Sequence, residues 1–66
     1  MKVNGKKLPL SDLKSSQIPD LLEYLKIKPD MVAIQRNGSI LKREFWGQTE
    51  LMEEDQLEIL RFVGGG

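Results

Sequence analysis

The sequence predicts a single α+β domain in which a mixed sheet of four to five strands carries one main helix on one face. Two Asn-Gly pairs, at positions 4–5 and 37–38, lie between strand-like segments and predict β-hairpins, because both residues tolerate the positive φ of a tight turn. One apolar stripe at helical spacing predicts the helix. The 66 residues suffice for one small core, and a single helix covers only one face of a sheet.

The first hairpin is predicted from residues 1–3 and from residues 6–10, which return as the second strand. Pro9 has no amide hydrogen to donate, and this places the second strand at an edge of the sheet. Residues 11–16 are polar and predict a loop, from which Leu13 is expected to turn inward.

The helix is predicted from four apolar residues at positions i, i+3, i+4 and i+7, namely Ile18, Leu21, Leu22 and Leu25. Pro19 and Asp20 suit the first turn, where proline is tolerated and a negative charge interacts favourably with the helix dipole. Lys26 and Lys28 are expected to close the last turn, and Pro29 to end the helix. The stripe is expected to form core and has no predicted binding role.

The second half of the chain continues with residues 31–36 as the third strand and residues 39–42 as a short fourth strand. Residues 43–50 show no alternation and predict a turn or short 3₁₀ segment. Within that segment Trp46 and Phe45 are expected to cap the core, because aromatic burial is what a small core lacks.

Residues 56–63 are predicted as the last strand, and they form the longest and most apolar of the strand-like segments. This strand has no hairpin partner, so it is expected at the centre of the sheet. There it pairs in parallel with the first strand, because the intervening helix supplies the crossover. The resulting architecture is the β-grasp, or ubiquitin-like, roll. Residues 1–63 are expected to form this domain and residues 64–66 a flexible glycine tail.

The two faces of the last strand are predicted to differ. Leu57 and Ile59 share one face and are expected to pack against the helix. The opposite face carries three residues that nothing else in the sequence is expected to cover: Glu58, Leu60 and Phe62. Apolar side chains beside the tail predict a docking surface for a partner. The alternative is that Leu60 and Phe62 are isolated surface residues or self-associate.

Composition excludes several kinds of site. Ten basic and ten acidic residues balance, so no overall charge favours nucleic acid or an anionic membrane. The chain contains no histidine and no cysteine, which removes the commonest metal ligand, any disulfide and any thiol nucleophile. A catalytic pocket is hard to build at this size, and we expect neither an enzyme nor a metal site. No signal peptide or membrane span is apparent, and the expected compartment is the cytoplasm.

Charged side chains fall into two small groups that are interpreted as solvated faces. One group is basic and comprises Lys2, Lys6 and Lys7, and the other is acidic and comprises Glu50, Glu53, Glu54 and Asp55. The alternative is charge steering toward a partner, which a salt-dependent association rate would reveal. Arg43 is expected to have a structural partner, either a carbonyl group or a nearby carboxylate.

The chain ends in Gly64, Gly65 and Gly66, which have no side chains and form no element of their own. Stretched out, three residues reach roughly 10 Å beyond the last strand. A stalk this thin could enter a narrow channel and present its carboxylate there. The alternative is a frayed terminus without a role.

Four stretches carry a resemblance over nearly the whole chain: Val3-Asn4-Gly5; Ile18-Pro19-Asp20-Leu21-Leu22 followed by Leu25; Asn37-Gly38 followed by Arg43-Glu44-Phe45-Trp46; and Val63-Gly64-Gly65-Gly66. They resemble the sulfur-carrier proteins of thiamine biosynthesis, the ThiS family, in the ubiquitin-like superfamily that also includes MoaD. The Arg-x-x-Trp spacing and the terminal glycines are the more specific features. The sequence departs from the family at three places. Lys42 stands where the family often has proline, Arg36 occupies a position that is usually aliphatic, and the acidic turn at Glu54-Asp55 lacks the customary glycine before its aspartate.

The resemblance implies a carrier whose Gly66 carboxylate is adenylated by an activating (E1-like) enzyme that uses ATP and magnesium. Sulfur from a cysteine-desulfurase-derived persulfide would then produce a thiocarboxylate, which a thiazole synthase would use. Gly64 and Gly65 would let the tail enter these active sites, while Glu58, Leu60 and Phe62 would dock on the activating enzyme. The carrier itself would bind no cofactor and contribute no catalytic residue.

Two other functions are compatible with the same fold. The small subunit of molybdopterin synthase is also a sulfur carrier with a diglycine end, although its chains are typically longer. A ubiquitin-like interaction module without covalent chemistry belongs to a different class. Such a module would tolerate residues appended after Gly66, whereas a carrier would not.

Overall fold

Five strands and one α-helix make up the regular structure of the computed structural model, which describes residues 1–61. The strands are β1 (Lys2–Val3), β2 (Lys6–Lys7), β3 (Val32–Arg36), β4 (Ser39–Leu41) and β5 (Gln56–Arg61). The helix α1 spans Ile18–Leu25, and short 3₁₀ helices span Leu10–Asp12, Pro29–Met31 and Arg43–Gln48. The predicted element order is confirmed.

The strands form one sheet in the order β2-β1-β5-β3-β4. β5 is central, pairing in parallel with β1 and antiparallel with β3, so that Leu57 lies opposite Val3 and Ile59 opposite Ile34. The outer pairs β1–β2 and β3–β4 are antiparallel hairpins. The predicted β-grasp topology, with the last strand in parallel register beside the first, is therefore confirmed, and β2 lies at an edge as Pro9 indicated.

Both Asn-Gly pairs form the hairpin turns that the sequence predicts. Asn4 and Asn37 each have φ of 52°, and the glycines that follow, Gly5 and Gly38, have φ of 83° and 89°. Two consecutive residues with positive φ are the geometry of a type I′ turn, whose twist matches that of the flanking strands. The two-residue turns therefore fix the register of both hairpins.

The helix is shorter than predicted. It ends at Leu25 because Lys26 adopts the left-handed conformation, with φ of 58° and ψ of 43°, and its amide bonds back to the carbonyl groups of Leu22 and Glu23. The amide of Ile27 also donates to the Leu22 carbonyl oxygen over 2.9 Å. These bonds satisfy carbonyl groups at the end of the helix, and the expected continuation to Lys28 is wrong.

Four strand boundaries also differ from prediction. The first strand begins at Lys2, not at residue 1. The second strand ends at Lys7, not at residue 10, because Leu10–Asp12 turns into a 3₁₀ helix. The third strand begins at Val32, not at residue 31, because Pro29–Met31 forms another such turn. The fourth strand ends at Leu41, one residue before the predicted end, because residue 42 already precedes the 3₁₀ helix.

The core lies between α1 and the inner face of the sheet. Its most completely buried side chains are Ile18, Leu21, Leu22, Ile34, Leu51 and Leu57. Leu13 is buried as predicted. Trp46 is 5% exposed, packs in the same cluster and donates from Nε1 to the Leu41 carbonyl oxygen over 2.9 Å. Phe45 is 47% exposed, so its predicted burial is wrong; the 3₁₀ turn directs the two neighbouring rings to different sides.

Candidate functional site

The outer face of β5 carries the exposed side chains that the sequence predicts there. Leu57 and Ile59 are buried against the core, while Glu58 and Leu60 alternate with them and are exposed, Leu60 by 44%. The exposure of these two residues is confirmed. Phe62, the third residue predicted for this face, lies outside the described residues. The role of the face in docking stays a prediction.

Neighbouring strands extend this exposed face. Leu60 lies opposite Ala33 and Glu58 opposite Gln35 on β3, and Gln35 in turn lies opposite Ile40 on β4. Cross-strand partners point to the same side of a sheet. The side chain of Ile40 is 59% exposed. We call these five residues, Ala33, Gln35, Ile40, Glu58 and Leu60, the outer patch.

Ile40 belongs to this face although no prediction placed it there, and the sequence does carry a signal for it. The two-residue turn at 37–38 places Arg36 opposite Ser39 and therefore Gln35 opposite Ile40. The register of the hairpin alone would have placed Ile40 beside the predicted docking residues.

Both hairpin asparagines bind the main chain of β5. Asn4 Oδ1 accepts from the Ile59 amide over 2.7 Å, and Asn4 Nδ2 donates to the Ile59 carbonyl oxygen over 3.4 Å. At the other end of the strand, Asn37 Oδ1 accepts from the Gln56 amide over 2.9 Å. The two turns therefore hold β5 near its beginning and near its end, and the attachment of Ile59 to Asn4 lies two residues before Arg61.

Asp55 forms a buried polar cluster just before β5 begins. Its side chain is 4% exposed and accepts hydrogen bonds from Arg36 Nε over 2.9 Å, from Asn37 Nδ2 over 3.0 Å and from the Met52 amide over 2.9 Å. Burial raises the pKa of the Asp55 carboxyl, but the hydrogen bonds from Met52, Asn37 and Arg36 outweigh it and hold that pKa below its usual value.

The contacts of Asp55 correct the predicted exposure of this residue and show what Arg36 does in the fold. The interpretation of residues 50–55 as a solvated acidic face is wrong for Asp55, because the Arg36 guanidinium and two amides take the place of water. The other acidic residues of that group, Glu50, Glu53 and Glu54, are exposed as expected, as are the basic residues Lys2, Lys6 and Lys7. Arg36, a departure from the family pattern, is the cation that pairs with Asp55.

Arg43 has the structural partners that were expected for it. Nη1 donates to Asp30 Oδ1 over 3.2 Å, Nη2 donates to the Pro29 carbonyl oxygen, and the guanidinium lies 5.5 Å from the centroid of the Trp46 ring. Arg43 therefore connects the turn before β3 to the 3₁₀ helix after β4. It has no part in the outer patch.

The predicted tail residues Gly64, Gly65 and Gly66 lie outside the described residues, as does the predicted domain boundary after residue 63. Among residues 1–61 there is no group of three or more histidine, cysteine, aspartate or glutamate side chains suited to holding a metal ion. No helix in the described part of the chain has the length and apolarity that crossing a bilayer requires.

Comparison with known proteins gives a consistent set of relatives. The sequence model of the ThiS family matches residues 1–66. Sulfur carrier protein ThiS of Bacillus subtilis is 33% identical over 66 residues, which is 100% of this chain and 98% of that protein. The crystal structure of thiamine biosynthesis protein ThiS from Geobacter metallireducens superimposes with a TM-score of 0.78 at 35% identity, covering 98% of this chain and 96% of the other.

A longer relative matches equally well. A thiazole synthase of Magnetococcus marinus is 33% identical over 66 residues, but the chain spans only 20% of the length of that protein. The shared region therefore corresponds to a small part of the longer protein and to nearly all of the Bacillus subtilis one.

Proposed function

Since this chain belongs to the ThiS family, we propose that it is a sulfur carrier of thiamine biosynthesis and that the carboxylate of Gly66 carries the sulfur. The observation behind this proposal is that the family match runs through all 66 residues, including the closing glycines. The similarity to a sulfur carrier over the whole length of both chains supports it.

The chemistry of a carboxylate explains why activation is needed. A carboxylate is anionic and resonance-stabilised, and it is therefore a poor electrophile. In the proposed reaction an oxygen of the Gly66 carboxylate attacks the α-phosphorus of ATP, pyrophosphate leaves, and an acyl-adenylate forms. An activating (E1-like) enzyme catalyses this step with magnesium. The carrier itself binds neither ATP nor metal.

A persulfide supplies the sulfur in the second step. Its terminal sulfur attacks the activated carbonyl carbon and AMP leaves; a thiol then reduces the sulfur–sulfur bond, forming a disulfide and leaving a thiocarboxylate on Gly66. The chain contains no cysteine, so no side-chain thiol could hold the sulfur instead. We place the reaction in the cytoplasm, where a cysteine desulfurase would charge the persulfide donor.

The outer patch supports docking on the activating enzyme. It displays Leu60 and Ile40 on the face of the sheet opposite to α1, and Leu60 lies on β5, the strand from which residues 62–66 continue. Docking there places the tail at the partner's active site, with Gly64 and Gly65 small enough to pass a narrow channel. Thiazole synthase is proposed as the second partner, because a relative of that name shares this sequence region.

Intact-mass measurement tests the proposal. The chain is incubated with the activating enzyme of its own organism, ATP, magnesium and a persulfide donor, and we expect one carboxylate oxygen to be replaced by sulfur. The matched control is the same chain with a C-terminal amide at Gly66, which has no carboxylate to adenylate and should keep its mass. An unchanged mass for the free-acid chain with an authenticated enzyme contradicts the proposal.

Complementation distinguishes the two sulfur-carrier pathways. Expression of the chain should restore growth of a bacterial strain that lacks its own thiamine sulfur carrier, on medium without thiamine. It should not restore molybdopterin synthesis in a strain that lacks the small subunit of molybdopterin synthase. The opposite result would assign the chain to the second pathway.

A further inference from the structure

Positive side chains surround the end of β5, where the chain continues toward residues 62–66. A surface depression of about 360 Å³ on one side of Arg61 has Lys6 and Lys7 as its other charged lining residues. A second depression of about 260 Å³, on the other side of Arg61, is lined by Lys26 and Lys28. No aspartate or glutamate lines either depression among the described residues.

We define the basic collar as Lys6, Lys26, Lys28 and Arg61. Lys7 is left out because it also lines a depression of about 380 Å³ near the start of β5, where Glu53, Glu54 and Asp55 lie. The balanced charge of the whole chain therefore conceals a separation. Glu53, Glu54 and Asp55 lie near the start of β5, and the collar lies around its end.

The collar residues form no ion pair within residues 1–61. The ion pairs described there use the amino terminus, Lys14, Arg36 and Arg43 as their cations. Three acidic residues lie within three positions of a collar residue. Glu23 pairs with Lys14 over 2.9 Å and Asp30 with Arg43 over 3.2 Å. Glu58 forms no ion pair within residues 1–61, but strand alternation places it on the face of β5 opposite to Arg61. The four collar charges are thus available to an external partner.

The backbone of Lys26 gives a second, independent indication. Lys26 occupies the left-handed position after α1, with φ of 58°, where glycine is the residue of lowest conformational cost. A lysine there is less favourable for the fold than glycine, yet it adds a charge to the collar. Unfavourable backbone conformations that persist in a fold tend to occur at functional sites.

We propose that the basic collar binds a rim of carboxylate side chains around the channel of the activating enzyme that admits the tail. This inference rests on the proposed function and adds the chemistry of the partner surface. The collar residues come from three separate parts of the chain and flank Arg61 on both sides. That spread suits several separate carboxylates better than a single phosphate group. Complementary charges would also orient the carrier with its tail toward the channel.

The association rate of the chain with the adenylating enzyme of its own organism tests the proposal. The double variant K26Q/K28Q removes two collar charges. K2Q/K42Q removes two exposed positive charges elsewhere that form no ion pair within residues 1–61, so both variants have the same net charge. At low ionic strength we expect K26Q/K28Q to associate about 10-fold more slowly than the unsubstituted chain, and K2Q/K42Q to stay within about 2-fold. At roughly 1 M salt the difference should vanish.

The variant Lys26→Gly distinguishes an effect on partner binding from an effect on folding. Glycine relieves the left-handed backbone, and we expect the thermal midpoint to rise by about 2–4 °C while association slows. Lys28→Gly is the matched control, because Lys28 has φ of −76° and glycine there relieves nothing. A more stable variant that nonetheless binds more slowly excludes misfolding as the cause.

Several results overturn the proposal. It fails if K26Q/K28Q and K2Q/K42Q slow association equally, since only net charge would then matter, or if neither variant slows it. It fails also if K26Q/K28Q associates more slowly only when the activating enzyme holds ATP, because the collar would then bind the phosphate groups of ATP and not carboxylates. Adenylation of the unsubstituted chain is measured in parallel by pyrophosphate release. If that reaction is absent, the proposed function itself fails; if it is present without a collar effect, only this inference fails.

Discussion

The side chain of Asn4 and the main chain of Ile59 exchange two hydrogen bonds, of 2.7 Å from the Ile59 amide and 3.4 Å to the Ile59 carbonyl oxygen. β1 ends at Val3, so these bonds continue the pairing of β1 with β5 through a side chain. The end of β5, from which the tail continues, is thereby attached to the first hairpin as well as to β3.

Asn4→Gly should release this attachment. Glycine keeps the positive φ of the turn but removes both hydrogen bonds, and we expect a loss of about 1–2 kcal/mol in the free energy of unfolding. Hydrogen exchange at the Ile59 amide should accelerate. Asn4→Asp is the matched control, because it retains the acceptor oxygen and should leave that amide protected. Unchanged protection of Ile59 in Asn4→Gly would contradict the role assigned to Asn4.

Asp55 should make stability depend on pH in the acidic range. Its pKa in the folded protein is below the usual value of about 3.9 that applies in the unfolded chain. The stabilisation is therefore complete above about pH 4 and decreases as pH falls through the folded pKa. Asp55→Asn should lower the free energy of unfolding by about 1–3 kcal/mol at pH 7 and flatten this dependence.

Urea unfolding between pH 7 and pH 2 measures this effect. Asp12→Asn is the control, because Asp12 is exposed and its replacement should leave both the stability at pH 7 and the acid slope nearly unchanged. If Asp55→Asn keeps the slope of the unsubstituted chain, other carboxylates cause the acid sensitivity.

The two neighbouring aromatic residues should differ sharply in their contribution to stability. Trp46→Ala removes a buried ring and its hydrogen bond to Leu41, and we expect a loss of about 3–5 kcal/mol. Phe45→Ala removes a half-exposed ring and should cost less than about 1 kcal/mol. Chemical denaturation of both variants makes the comparison, and equal losses would show that Phe45 packs where the structure leaves it exposed.

Leu60→Ala should weaken docking on the activating enzyme without affecting the fold. Removing an exposed apolar anchor from an interface typically costs about 1–2 kcal/mol, which corresponds to about a 10-fold rise in Kd. Tyr24→Ala is the control, because Tyr24 is similarly exposed but lies on the helix, away from the outer patch. Calorimetric titration gives both affinities, and equal binding by the two variants would place the interface elsewhere.

The topology could be predicted because its signals are local. Each Asn-Gly pair specifies a hairpin by its own backbone preference, and the single helix leaves β5 only the central position beside β1. The helix end could not be predicted in the same way. Lys26 adopts a left-handed conformation that a lysine side chain does not signal, and the sequence therefore predicts both lysines inside the last turn.

Contacts that exist only in the folded chain account for the errors at Asp55 and Phe45. The burial of Asp55 depends on Arg36 and Asn37, which only the completed sheet brings to it. The choice between the two aromatic rings depends on the Leu41 carbonyl oxygen, which accepts from Trp46 and not from its neighbour. Neither the contacts of Asp55 nor the hydrogen bond of Trp46 can be predicted from composition and residue spacing.

The central place of β5 also determines how the carrier withstands force. Two register pairs join β5 to β1 on one side and five join it to β3 on the other, all across the direction of the strand. A pull on Arg61 along the strand axis therefore loads the bonds on both sides in shear, and they must break together instead of peeling apart one after another. Under the proposed function, withdrawal of the tail from an enzyme channel would load β5 in this way, and we expect the strand to stay paired.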